Sequence, residues 1–356
     1  MAAPASTTIG SWESDNVTVG QVEKALSDLR RHEQRAAVRT SVLTLVAVVR
    51  TDAEADGARQ IIHDLGVRHP SRTLIIVTVD DEPEAANSTD AAVWVHAIER
   101  EGRAVCFEEV VLRVRGKARH HLDSIVEPFA LPDVPMVVWL PAGLPSPGDP
   151  LMRAANRVVV DSRAVAEAGG DVLIRSAALA KRLPVVDLSW MRLEQWRSML
   201  AGLFEGALYR PFLEAVDRVE VCGNRGPRYL LGGWLMRRLN LPPARVELQR
   251  ADHVSVTIHA VSGGKTGTFT VARLGAEREI SSCVNIEDGP QVEQVLRMRH
   301  QWPSLALASA LTRFGHDESY EEALAGARAS DGHWWRIRST CSTWGPSSMF
   351  TQELIS

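Results

Sequence analysis

Two apolar runs set the first constraint on this chain. Val42 to Val49 (VLTLVAVV) and Thr73 to Val79 (TLIIVTV) have the β-branched composition of buried strands. Between them Ala58, Ile61, Ile62 and Leu65 fall on one helical face, with Thr51 and Glu54 as a capping box at the start and Gly66 suited to the end. Strand, helix and strand in this order predict a parallel βαβ unit with a right-handed crossover. The joint before the second run, RHPSR, is punctuation: Pro70 cannot continue a helix and biases His69 toward an extended backbone. Ser71 lacks the G-x-S-x-G setting that exposes a nucleophile on a strained turn.

The same patterning continues on both sides of the unit. Thr18 and Gln21 form a second capping box ahead of Val22, Leu26 and Leu29, a helix that ends in the charged run RRHEQR. AVWVHAI and VCFEEVVLRV, joined by EREGR, predict a hairpin, so the sheet is expected to be mixed. After Gly116 comes a helix with Leu122, Ile125, Val126 and Phe129 inward, then the strands MVVWL and RVVVD. A helical stretch over 171–182 follows, and a domain boundary is expected near Pro184.

Beyond it, DLSWMRLEQWRSMLAGLF puts Leu193, Trp196, Leu200 and Leu203 on one helical face. HVSVTIHAV, TFTVARL and REISSCVNI then predict an antiparallel meander, turning first at GGKTG, and two helices broken by FGHDES close the pattern. The expected fold is α/β: an N-terminal mixed-sheet α/β domain, then a smaller α+β domain with an antiparallel meander and terminal helices. The expected divisions are 1–38 (N-terminal extension and helix), 39–184, 185–330, and 331–356, a tail carrying Trp334, Trp335 and Trp344.

At 356 residues the chain exceeds the ceiling of about 250–300 for a single core, which also argues for two domains. With 45% hydrophobic and 24% charged residues it has ample core material, so disorder is not the default. A net charge of −4 gives no global field toward nucleic acid or anionic lipid. MAAPASTTIG has neither the basic nor the apolar region of a secretory signal, and no apolar run is long enough to span a bilayer; a cytoplasmic protein is expected. Cys106, Cys222, Cys283 and Cys341 lie far apart, and the first three are expected to be buried thiols.

Several stretches tempt a functional reading. SGGKTGTF resembles a phosphate loop until its first glycine is sought, where His259 stands instead. VCGNRGPRYLLGGWLMRRL has a strand, glycine loop and helix around Gly223, without the dinucleotide fingerprint. RVRGKARHH concentrates Arg113, Arg115, Lys117, Arg119, His120 and His121, with Arg113 and Arg115 on one strand face. A solvated face explains it; a small acidic ligand or acidic partner surface is the functional alternative. The histidines show no metal spacing, so no metal, cofactor or catalytic residue is assigned.

Read together, SVLTLVAVVR, RHPSRTLIIV, RVRGKARHHLDSIVEPFALPDVPMVVWL, DLSWMRLEQWRSMLAGLFE, LGGWLMRRL and LALASALTRFGHDESYEEAL resemble the OpcA family, assembly and activator proteins of glucose-6-phosphate dehydrogenase. The resemblance spans residues from about 40 to 325, and DLSWMRLEQWR and DVPMVVWL are its most specific blocks. It implies a non-catalytic partner that binds the dehydrogenase, promotes its active oligomer and changes its affinity for sugar phosphate. Cyanobacterial members are associated with thioredoxin-linked control through cysteines, an arrangement this chain departs from, with Cys341 alone near its end.

Aromatic and Arg side chains dominate binding hot spots, so Trp190, Arg192 and Trp196 are the first candidate docking residues. Arg192 is expected at the partner surface, Trp190 at its margin and Trp196 in support beneath. Arg113 and Arg115 are next. A sugar-phosphate-binding protein or weak enzyme using the joint at Arg115 or the loop at Gly223 is the alternative; the acidic balance argues against a nucleic-acid module.

Overall fold

The computed structural model describes residues 7–32, 41–65, 69–78, 87–100, 103–144, 146–165, 172–274, 279–289, 291–298, 302–313 and 315–329. They fall into two compact units, one drawn from Met1–Gln195 and Arg299–Ala325, the other from Trp196–Met298 and Gly326–Ser356. The division therefore runs past the linear boundary expected near Pro184, and a later segment returns to the first unit. The Trp334, Trp335 and Trp344 tail lies outside the described residues.

Among the described residues, the first unit holds an eight-stranded sheet in the order β1 (Thr7–Ser14), β4 (Ser88–Arg100), β5 (Arg103–Arg115), β3 (Ser71–Thr78), β2 (Leu43–Val49), β6 (Met136–Leu140), β7 (Arg157–Val160) and β8 (Val185–Asp187). From β5 to β8 neighbours run parallel, whereas β4 pairs antiparallel with β5 and β1 antiparallel with β4. The sheet is mixed, as the hairpin required. Two strands were not legible. In β1 (TTIGSWES) no residue is fully buried, so no apolar alternation marks it, and β8 is three residues long.

The βαβ unit forms as expected: α2 (Asp52–Leu65) buries Ala55, Ala58, Ile62 and Leu65. These join Leu43, Leu45, Ala47, Val49, Ile75, Val77 and Val111 in one core cluster. The Thr18–Gln21 capping box closes, whereas the Thr51–Glu54 box forms by one half, its Glu54 carboxylate accepting the Arg50 amide at 2.8 Å. The Glu54 amide donates to Thr51 Oγ1 at 3.2 Å, and ahead of α1 (Val19–His32) the Thr18 amide donates to Gln21 Oε1 at 2.8 Å. On the other face lie α3 (Leu122–Val126), α4 (Pro150–Ala154) and α5 (Val172–Ala180); the helix expected after Gly116 is broken into short turns, yet Leu122, Ile125, Val126 and Phe129 are buried.

The single helix expected over DLSWMRLEQWRSMLAGLF is two: α6 (Leu188–Arg192) and α7 (Glu194–Gly202), separated at Leu193, with the short α8 (Arg210–Leu213) following. Leu193, Trp196, Leu200 and Leu203 are nevertheless all buried. Of the terminal helices, α10 (Pro303–Thr312) belongs to the first unit. Its Ala306, Leu307, Ala310 and Leu311 enter the α2 core cluster, and the buried Arg157 donates to the carbonyls of Ala310 at 2.9 Å and Leu311 at 3.1 Å. A cation thereby satisfies carbonyls that the last turn of a helix leaves open.

The second unit carries a sheet ordered β10 (Val246–Arg250), β9 (Val216–Gly223), β11 (Ser255–Ser262), β12 (Lys265–Leu274), β13 (Glu279–Ile286) and β14 (Val292–Arg297). From β9 through β14 the pairing is antiparallel, and β10 pairs parallel with β9. The β11–β12 turn places Ser262 opposite Lys265, so Gly263 and Gly264 alone make the corner, at φ 59° and 76°. Two positive φ values there demand glycine, and the GGKTG segment needs no phosphate to explain it. β9 leads into α9 (Arg225–Arg238). Within this unit, at the end of α11 (Glu318–Ala329), a Cβ on Gly326 would overlap the Gly233 carbonyl oxygen and sit 2.7 Å from its Cα, so that position requires glycine.

Cys106 is a buried free thiol and Cys222 is buried but disulfide-bonded, so it is no thiol, while Cys283 is only partly buried.

Candidate functional site

The residues of the DLSWMR block converge at the carboxyl ends of β7 and β8, the edge where parallel sheets present ligand-binding and catalytic groups. Asp187 is the last residue of β8 and the N-cap of α6, so its Oδ1 accepts the amides of Ser189 at 2.8 Å and Ser162 at 3.1 Å. Its Oδ2 accepts the hydroxyl of Tyr320, from α11, at 3.3 Å. Asp317 caps α11 through the Tyr320 amide at 3.0 Å and takes the indole N–H of Trp190 at 3.1 Å. The Trp190 and Tyr320 rings lie 6.0 Å apart. A cavity of about 450 Å³ adjoins them, lined by Asp187, Trp190 and Tyr320 and by Arg313, His316 and Asp317 from the α10–α11 connection.

Burial, followed by the neighbouring Asp161 charge, pushes the Asp187 carboxyl up to about 6 despite its hydrogen bonds. Burial likewise raises the Tyr320 hydroxyl well above its ordinary value, with the Asp187 charge adding to it. The folded state thus holds a proton on Asp187 more tightly than the unfolded chain. Its stabilising effect is complete below the ordinary value of 3.8 and is lost as pH rises through about 6. Each tenfold of proton affinity is worth ~1.4 kcal/mol, so Asp187→Asn, which keeps the acceptor oxygen, should stabilise the chain by on the order of 3 kcal/mol at pH 8 and by almost nothing near pH 4. Urea denaturation at both pH values checks this. An equal gain at both would detach the effect from the carboxyl.

The candidate docking residues fare unequally. Trp190 is 1% exposed, so it is interior and not at the margin of a surface. Arg192 does not project toward solvent as expected: its guanidinium makes a two-pronged pair with Asp161, at 2.9 and 2.5 Å. α6 ends at Arg192, which turns its side chain back over the strand ends instead of outward. Trp196 is buried. Arg113 and Arg115 share a strand face, each occupied by a carboxylate: Arg113 meets Asp52 at 2.6 Å and Arg115 meets Asp90. The Arg115 hydrogen bond is the main reason the Asp90 carboxyl lies below its ordinary value.

Sequence reasoning missed the two carboxylates of β5, which sit inside VCFEEVVLRV. Adjacent strand residues face opposite ways, and each finds its own cations. Glu108 pairs with Arg30 of α1 at 2.5 Å and Arg72 of β3 at 2.8 Å. Glu109, on the α2 face, pairs with Arg59 at 2.5 Å and His63 at 2.6 Å, with His96 of β4 at 3.6 Å. Arg59 also lies 4.3 Å over the Trp94 ring. Burial would raise the Glu109 carboxyl, but the His63 hydrogen bond, the His96 imidazole and the Arg59 charge outweigh it and hold the group far below the carboxylate range. Two adjacent acids in an apolar strand were the available signal.

Residues 63–177 match a family model described as the glucose-6-phosphate dehydrogenase subunit N-terminal domain, and residues 183–324 match the corresponding C-terminal domain. Together they define a two-domain subunit class and cover most of the chain. The chain belongs to the OpcA family. Similar curated proteins are OpcA of the OxPP cycle from Nostoc punctiforme, 23% identical over 310 residues (75% of this chain, 66% of the relative), and from Synechococcus elongatus, 24% over 267 residues (64% and 60%). OpcA of Synechocystis sp. is 21% identical over 314 residues (77% and 66%). The chain thus spans just under two thirds of the length of these relatives. Among the described residues no helix is long and apolar enough to cross a membrane.

Proposed function

We propose that this chain is a non-catalytic cytoplasmic subunit that binds glucose-6-phosphate dehydrogenase, favours its active oligomer and so activates it allosterically in the oxidative pentose phosphate pathway. The observation carrying the reading is that both domain models of a dehydrogenase subunit match, in order, along one chain. An activator of this kind works by binding the active oligomer better than the alternatives. The sugar-phosphate alternative draws little support from the basic joint, because Arg113 and Arg115 already face Asp52 and Asp90.

Titrating the full chain into its host's dehydrogenase, with oligomer size and activity followed together, tests the reading. Activity at subsaturating glucose 6-phosphate should rise and plateau at a fixed ratio, and the chain alone should reduce no NADP. Absence of both a complex and a kinetic change would remove it. Arg192→Ala carries a revised expectation. Freeing the half-buried Asp161 should lower the melting temperature, so weakened binding counts as a contact effect only if Asp161→Asn, which loosens the same pair, binds normally.

A further inference from the structure

On the α2 face of the first sheet, three donors from three elements meet: His63 of α2, His96 of β4 and Glu109 of β5, with ligand atoms all within 4.8 Å of one another. Glu109 is 1% exposed and His96 3%. An ion network accounts for part of this, since Arg59 takes Glu109 Oε1 and His63 takes Oε2. It leaves His96 Nε2 within reach of the carboxylate but short of a hydrogen bond. The His96 Nδ1 lies 3.2 Å from Thr8 Oγ1, while its Nε2 is buried without a hydrogen-bond partner, 3.6 Å from Glu109 Oε2. With Nδ1–H donating to Thr8 Oγ1, the buried Nε2 keeps its lone pair and faces a carboxylate oxygen across a gap that a cation fills.

We propose that His63, His96 and Glu109 form a binding site for one divalent transition-metal ion of the zinc class. Two imidazoles and one carboxylate are the donor set of three-ligand zinc sites with an open fourth position, and imidazole selects against calcium and magnesium. The ion takes the place of the proton shared by His63 and Glu109, with bonds of about 2.0–2.1 Å that draw His96 Nε2 into the same sphere. Thr8 on His96 and Arg59 on the other Glu109 oxygen are then the outer partners that hold the ligands in orientation. His96 is further fixed by stacking on Phe107, with ring centroids 4.8 Å apart. His63, whose side chain is 28% exposed, marks the side from which the ion enters and at which water completes the coordination.

Chelator-stripped full chain titrated with zinc chloride should bind one ion retained through gel filtration, with a rise in melting temperature. His63→Ala should weaken that binding at least tenfold, while His316→Ala, at a histidine outside the cluster, should leave it unchanged. Cobalt in place of zinc should show ligand-field absorption without thiolate charge transfer. No retained zinc, equal binding by His63→Ala, or a thiolate signature would each overturn the proposal. Should His63→Ala fail to fold by circular dichroism, His63→Gln and the cobalt spectrum of the unaltered chain decide in its place.

Discussion

Glu109→Ala is expected to destabilise the first unit by about 3–5 kcal/mol, the range for breaking a buried ion pair from one side. The carboxylate is almost wholly enclosed between β5 and α2, and removing it leaves the Arg59 guanidinium without its counter-charge and the His63 ring without its hydrogen-bond partner. Desolvation of the surviving cation sets the size of the effect, more than the loss of the contact itself. Glu109→Gln retains shape and one acceptor and should cost less. Asp52→Ala removes the exposed partner of Arg113 and should cost under about 1 kcal/mol, as surface pairs do. Chemical denaturation of the three variants at pH 7 makes the comparison; a Glu109→Ala loss as small as that of Asp52→Ala would mean the pocket rehydrates.

Where the chain was legible, the signal was local. β-branched runs, capping boxes and the GGKTG corner each report their own backbone, and they gave the βαβ unit, the hairpin and the meander. What failed was long-range. Nothing near Pro303 says that α10 packs on α2, because the tie is Arg157 reaching the carbonyls of Ala310 and Leu311. The edge strands β1 and β14 bury too little to show alternation; every residue of β14 is exposed. The site followed the same rule. In DLSWMR, helical periodicity could not reveal that Asp187 begins α6 as a cap or that Arg192 folds back onto Asp161. Nor could it bring together His63, His96 and Glu109, which are neighbours only once α2 is laid on β4 and β5.

Trp190 separates a core role from a docking role most sharply. Among the largest fully enclosed side chains, it packs beside Tyr320 and gives its indole proton to Asp317, the cap of α11. Truncating it removes buried ring area, opens a cavity and leaves the Asp317 oxygen without its indole donor, so Trp190→Ala should cost about 3–5 kcal/mol. Trp190→Phe keeps most of the apolar ring and loses the donor, and its cost should be nearer the 1–3 kcal/mol of an interrupted hydrogen bond to a charged group. α11 is held to the first sheet through these same groups, so proteolysis around Gly315 should quicken in the Ala variant and much less in the Phe variant. Binding to the dehydrogenase should survive in Trp190→Phe, since a side chain 1% exposed offers a partner almost no surface. Melting curves, limited proteolysis and affinity on both variants decide the matter: an unchanged melting temperature with lost affinity would return Trp190 to the partner surface.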